Sequence, residues 1–275
     1  MVDIIKANGE KQAFSEEKLR HSIHRAGIPK DLEEKVVAHI HTKLHEGMHT
    51  ADIYKHIVEF LDTANASHQR AKYSLKQAIM QLGPTGYPFE KFVARILDSE
   101  GFSTTTDVIV KGRCVSHEVD VVATKGNEKV MVEAKFHNST GITTDLHVSL
   151  YTRARFEDVQ DSEKFTKAML VTNTKITTDA LTYAQCVGTD VLGWSYPDNA
   201  SLRDLVEKYH LHPITSLTQL SQMQKQQLLE QEIVLCQDLS THPEALTQLN
   251  LPKDKQESVL LEAKSLCNTL QEKEN

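Results

Sequence analysis

The chain holds 275 residues, 39% of them hydrophobic and 25% charged, a composition that leaves room for two or three domains and argues against wholesale disorder. Its formal net charge of −7 speaks against the broad basic face of a tight, non-specific nucleic-acid binder. No apolar run approaches the ~18 residues of a bilayer span, the opening MVDIIKANGEKQ lacks the apolar stretch of a secretory signal, and the four cysteines are scattered, so a cytoplasmic protein with reduced thiols is expected.

Residues 1–86 open with a short apolar strand over 2–5 and a turn at Asn8-Gly9. Ser15 then has the character of a helix cap, with Glu16 and Glu17 in the first turn, where the helix dipole favours acids. Further helices are predicted at 31–46, at 50–64 with Thr50 as its cap, and at 67–82. Apolar residues such as Ile53, Ile57, Phe60 and Leu61 recur there at helical spacing. Gly83-Pro84-Thr85-Gly86 reads as a linker that closes a first domain.

Residues 87–200 alternate between helical and strand periods. A stripe of Phe89, Phe92, Val93, Ile96 and Leu97 predicts a helix that stops at Gly101. Strands come next at 108–110, 119–123 and 130–136, then a helix at 143–158, a buried strand at 168–172, a helix at 177–187 and a strand at 190–194. The order αβββαβαβ implies an α/β (α+β) core with a mixed sheet flanked by helices. Residues 201–275 form a third, all-helical domain in pattern, with segments at 202–209, 216–230, 236–240, 242–248 and 252–271.

The chemistry gathers in SHEVDVVATKGNEKVMVEAKFHN, residues 116–138. Residues i and i+2 of a strand share a face, so Glu118 and Asp120 point the same way, as do Glu133 and Lys135 on the returning strand. A hairpin about Gly126-Asn127 pairs positions that sum to about 253, setting Asp120 opposite Glu133 and Glu118 opposite Lys135. Opposed carboxylates repel unless a cation lies between them. Mg²⁺ commonly takes one or two carboxylates and completes its shell with water and substrate phosphate. A lysine beside such an ion can orient water and steady charge on a phosphate. The competing reading is a wet surface hairpin with a Glu118–Lys135 ion pair. The flanking elements that should cover the sheet, and Glu90 at the edge of the preceding helical stripe, favour a buried cluster.

Asp120, followed by Glu133-Ala134-Lys135 on the adjacent strand, resembles the D…(D/E)-x-K signature of restriction-endonuclease-like nucleases. The nearest branch is the Mrr-like one, which also includes archaeal Holliday-junction resolvases. The resemblance spans about 88–197, from the acid-bearing helix FEKFVARILDSEGF to the strand-helix-strand AMLVTNTKITTDALTYAQCVGTDVLGW. It implies Mg²⁺- or Mn²⁺-dependent hydrolysis of DNA, with Asp120 and Glu133 as metal ligands and Lys135 serving the attacking water. Glu90 would be an auxiliary acid, Glu118 would shape the site, and Arg153 or Arg155 would contact a phosphate.

At the N-terminus, IIKANGEKQAFSEEKLRHSI, continuing through HTADIYKHIVEFL to about residue 82, resembles the ATP-cone, the nucleotide-sensing module of ribonucleotide reductases. That resemblance implies ATP or dATP as a regulatory ligand, with Lys6 and Lys18 at its phosphates and Thr50 beside them. Ala7 and Asn8 depart from the family's arginine and aspartate, which removes a bidentate phosphate contact. The tail is similar to helix-hairpin-helix modules, which offer backbone N–H groups to a DNA phosphate. Asn250 holds the place of a glycine there, and Lys253 and Lys255 are its clustered bases; a protein-contact role is the alternative. A nucleotide-responsive DNA endonuclease is therefore expected, working as a homodimer because two strands need two sites. A nucleotide-controlled DNA-binding protein with a vestigial nuclease site is the competing function.

Overall fold

The structure, a computed structural model, describes residues 2–267 apart from 8, 65 and 140. The chain divides into two compact units between Leu75 and Lys76. In the first, strands β1 (Asp3–Ile5) and β2 (Lys11–Ala13) pair antiparallel through Asp3↔Ala13. Helices α1 (Glu16–Arg25) and α2 (Lys30–Lys43) come next, and Ser15 caps α1 by accepting the Lys18 N–H, as its spacing predicts. Strand β3 (Met48–His49) lies parallel to β1 through Ile4↔Met48. It draws His49 into the sheet, so His49 takes the cap position of α3 (Thr50–Thr63) and Thr50 becomes the first helical residue, with no side-chain cap bond. Helix α4 (Ser67–Tyr73) ends the unit. Its core holds Ile23, Val36, Ile40, Ile57 and Leu61, all fully buried. The helix expected over 67–82 is broken at Ser74, the cap residue between α4 and α5 (Leu75–Met80). The Asn8 part of the expected turn lies outside the described residues.

The second unit takes in α5, whose Ala78 carbonyl accepts a buried hydrogen bond from Thr215 Oγ1 at 2.6 Å, so that the stretch ahead of Gly83-Pro84-Thr85-Gly86 packs with residues far beyond it in the chain. Helix α6 (Tyr87–Ser99) buries its predicted stripe of Phe89, Phe92, Val93, Ile96 and Leu97. Three long strands then form an antiparallel meander: β4 (Ser103–Lys111), β5 (Ser116–Lys125) and β6 (Glu128–Lys135). A two-residue strand β7 (Thr143–Thr144) precedes α7 (Leu146–Glu163), and β8 (Lys167–Thr172) returns parallel to β6. Strand β9 (Lys175–Ile176) pairs with β7 outside the main sheet, α8 (Thr178–Val187) comes after it, and β10 (Asp190–Leu192) lies parallel to β8. The sheet order is β10-β8-β6-β5-β4, the mixed sheet that the element order implied. Helix α7 seats Phe156 and Val159 against Val119, Met131 and Ala168 of the sheet, while Phe89 of α6 meets Phe136 at 5.4 Å between ring centres. The sheet's apolar positions vanish from solvent because burial of each such side chain is worth roughly 1.5–3 kcal/mol.

After the sheet come α9 (Leu202–Tyr209), α10 (Gln222–Glu230), α11 (Asp238–Thr241), α12 (Glu244–Gln248) and α13 (Lys253–Cys267). The helix expected from 216 is instead a 3₁₀ turn at Ile214–Ser216 and a separate α10, because Ser221 and Gln224 form a reciprocal capping box that starts the helix there. The expected last turns of α13, to 271, lie outside the described residues. No helix among the described residues is long and apolar enough to cross a membrane.

Candidate active site

The β5–β6 ladder has the predicted register, from Lys125↔Glu128 to Val121↔Val132, and ends there. One residue further, Asp120 Oδ2 accepts the Ala134 N–H at 2.7 Å. The carboxylate thus takes a donor that a backbone carbonyl would otherwise use, and the two strands cease to be ladder partners where the acids begin. Strand β6 continues against β8, through Glu133↔Leu170 and Lys135↔Thr172. Glu118 pairs with Ile109 of β4 rather than facing Lys135, and both Glu118 and Lys135 are exposed. The four-charge convergence expected from the alternation therefore contracts to Asp120 and Glu133, whose side chains are 18% and 12% exposed.

The cation between them in the structure is a guanidinium. Arg155 Nη1 lies 2.6 Å from Glu133 Oε2 and 3.9 Å from Asp120 Oδ1, and donates to the Glu118 carbonyl at 2.9 Å. The same group stacks 4.6 Å from the Tyr151 ring centre and hydrogen-bonds the Tyr151 hydroxyl. Arg155, expected to be free for a phosphate, is thus held by the acids themselves. Arg153 points elsewhere, to Glu157 at 2.7 Å and the Val187 carbonyl at 2.9 Å.

Sequence reasoning missed Asp107. The β4–β5 register runs through Thr106↔Val121 and resumes at Val108↔Val119, stepping over Asp107, whose φ is +57°. The carboxyl group so displaced meets Glu90 of α6 in a hydrogen bond, and Lys91 Nζ stands 4.0 Å from it. The available signal was an aspartate, a poor strand former, inside a run of threonine and valine.

This crowding sets the proton affinities. Burial, then the charges of Asp120 and Asp107, push Glu90 up to about 8. Burial and Asp120 push Glu133 up to about 7, although Arg155 and Lys135 pull it down. Burial also raises Asp120, against the Ala134 N–H and Arg155. Each of these acids has too little positive charge or water around it to ionise as it would in the open.

A second cluster lies wholly in the first unit. Lys6, Lys18 and Thr50 line one cavity of about 260 Å³, together with Phe14, Tyr54 and Tyr73. The two tyrosine rings stack at 5.5 Å with an 18° tilt, and Lys6 Nζ pairs with Glu10 at 3.2 Å. In the tail, Asn250 adopts φ +53° between α12 and α13, the left-handed turn that favours glycine. Lys253 is exposed and Lys255 Nζ donates to Gln219 at 2.6 Å.

Comparison with known proteins matches residues 83–192 to the restriction endonuclease family with an Mrr-type catalytic domain. An uncharacterized protein of Archaeoglobus fulgidus is 41% identical over 175 residues, which are 63% of this chain and 99% of the relative. The chain belongs to the Mrr-like restriction endonuclease family. The chain also matches an ATP cone domain over residues 2–78 and an AF1548-like C-terminal region over 212–267. A crystal structure of a protein of unknown function, AF1548, is similar to it with a TM-score of 0.58 at 39% identity, covering 66% of this chain and 98% of that one.

The donor set suits a hard divalent cation: two carboxylates from neighbouring strands, whose proton affinity burial raises even with Arg155 beside them. Among the described residues no three His, Cys, Asp or Glu side chains converge to hold an ion unaided. An ion at Asp120 and Glu133 would therefore draw its remaining ligands from water, backbone or substrate, the habit of Mg²⁺.

Proposed function

We propose that this chain is a divalent-metal-dependent DNA endonuclease whose ATP cone makes it responsive to ATP or dATP. The observation that carries the reading is the meeting of Asp120 and Glu133, from two neighbouring strands, on a single cationic nitrogen. Asp120 and Glu133 would hold Mg²⁺ or Mn²⁺, which when bound polarises the phosphodiester and lowers the pKa of a water. Lys135 shares a strand face with Glu133 and keeps its ammonium in solvent, where it orients that water and steadies charge on the phosphate. Glu90, pushed up to about 8, carries a proton at neutral pH and serves as the auxiliary acid. Glu118 shapes the rim, its carbonyl anchoring Arg155.

In the cone, Lys6 and Lys18 would meet the nucleotide's phosphates, with Thr50 beside them on the same cavity wall. Arg155, Arg153, Lys253 and Lys255 are the proposed contacts to DNA phosphate, Arg155 only after it leaves the acids. A cytoplasmic homodimer, one site for each DNA strand, completes the reading. A second reading, a nucleotide-controlled DNA-binding protein with a silent site, draws on the presence of Arg155 between the two acids.

The deciding experiment incubates supercoiled and linear DNA with the full chain in Mg²⁺, in Mn²⁺ and in EDTA. Cutting that requires metal and vanishes in Glu133→Ala and Lys135→Ala supports the endonuclease. DNA retained in a gel shift but never cut supports the silent site. No cutting with either metal, and no heat of metal binding by calorimetry, rules out the hydrolytic reading.

A further inference from the structure

Arg155 is unusual for a residue on the surface of a helix. Its side chain is 12% exposed, its Nη1 is committed to Glu133, and its Nε is buried with no hydrogen-bond partner. A buried guanidinium is tolerated only beside acids that neutralise it, and a buried donor left unpaired is costly. The neutralising acids here are Glu133, at 2.6 Å, and Asp120, at 3.9 Å, the same pair to which the endonuclease reading assigns the divalent ion. A guanidinium nitrogen at those distances and a dication on the same oxygens would repel each other strongly in so dry a setting.

We propose that Arg155 is a built-in counter-cation: it holds Asp120 and Glu133 together when no metal is present, and its guanidinium must withdraw from Glu133 for a metal to be held there. The inference rests on the metal-binding reading of the two acids. The surroundings of Arg155 provide for the withdrawal. Tyr151, one helical turn earlier on α7, keeps both a stacking face and a hydroxyl against the guanidinium. The Glu118 carbonyl holds it at the rim, at 2.9 Å. Released from Glu133, Nη1 has one N–H to offer a phosphate oxygen while its other stays on the Glu118 carbonyl. Arg155 is thus a positioning residue that acts on the metal through the acids. Arg153, engaged with Glu157 and the Val187 carbonyl instead, provides the control.

The test measures Mn²⁺ affinity calorimetrically on the full chain, without DNA, for the unaltered protein and for Arg155→Ala, Arg155→Lys and Arg153→Ala, with melting temperatures taken in EDTA. The expected result is tighter Mn²⁺ binding by about tenfold in Arg155→Ala, a smaller gain in Arg155→Lys, and no change in Arg153→Ala. Arg155→Ala should also melt lower in EDTA and recover on addition of Mn²⁺. A merely structural arginine would move affinity in the opposite direction. Equal or weaker Mn²⁺ binding by Arg155→Ala overturns the proposal, as does the same result in Arg155→Lys should the alanine variant fail to fold. A Mn²⁺-bound crystal with Arg155 still bonded to Glu133 overturns it too. If the unaltered protein binds Mn²⁺ and Arg155→Ala binds it no better, only this inference fails; if neither binds Mn²⁺, the metal-binding reading falls with it.

Discussion

The cluster at the ends of β5 and β6 and the cavity of the first unit handle charge in opposite ways. At the sheet, carboxyl groups are buried against one another until Glu90 and Glu133 hold protons up to about 8 and about 7, and an arginine is drawn in among them. In the cavity, Lys6 and Lys18 stand on a largely aromatic and aliphatic wall, Lys18 in solvent and Lys6 relaxed against Glu10. The first site holds electrostatic tension that bound protons and Arg155 relieve in part. The second is comfortable without a ligand, so whatever it binds must supply its own gain. A site under tension is expected to answer sharply to pH and to removal of one group, and a relaxed one to answer mainly to ligand concentration.

Removing one acid should break the contrast most severely. Glu133→Gln is expected to lower metal-dependent cleavage by at least about 10²–10³-fold, measured as plasmid nicking, while circular dichroism and DNA retention stay as before. Undiminished cleavage would show that the tension at the sheet has no catalytic use.

The pH response is next in size. Glu90 ordinarily titrates at 4.5 and is pushed up to about 8 on folding. Between these values the folded chain binds more protons than the unfolded one, so stability falls as pH rises across that range. Glu133, pushed up to about 7, adds to the fall over the lower part. Melts in EDTA should therefore lose stability between pH ~5 and ~8, and Glu90→Gln should flatten the curve. A flat curve in the unaltered protein would contradict the crowding described at the sheet.

For the cavity, ATP or dATP at a hundredfold excess over its Kd is expected to stabilise the chain by about 2.7 kcal/mol, with the gain reduced in Lys18→Ala. Unchanged melting with millimolar ATP, dATP and ADP would remove the cavity from the comparison. The smallest effect belongs to the scaffold around it. Ser15→Ala, which deletes the cap bond to the Lys18 N–H, should cost about 1 kcal/mol in denaturant unfolding and leave DNA cleavage unaltered.

Much of this architecture is legible in the chain itself, for local reasons. The β5–β6 register comes from alternation about Gly126, and α9 runs over the predicted 202–209 because Ser201 and Asp204 form a capping box in a four-residue span. What escaped depended on distant partners. Strands β7 and β9 have two residues each and exist only because they pair with one another across α7 and β8. Ser74 interrupts a helical pattern that runs without a break in the sequence, at the division between units. At the site, the nearness of Asp120 and Glu133 was legible from spacing, whereas Lys135 stands exposed and the partner of Arg155 lies 22 residues away on another element. Asp107 joins the acids through a left-handed backbone conformation within β4 that no periodicity announces.

That conformation at Asp107 also affects how the molecule meets its neighbours. Strand β4 closes one side of the five-stranded sheet, and nine residues of straight outer strand would invite a foreign strand to add to it. With Asp107 at φ +57° and no partner in the β4–β5 ladder, the strand leaves the extended conformation midway. The residue that helps crowd the acids therefore also blunts the sheet's margin against self-association.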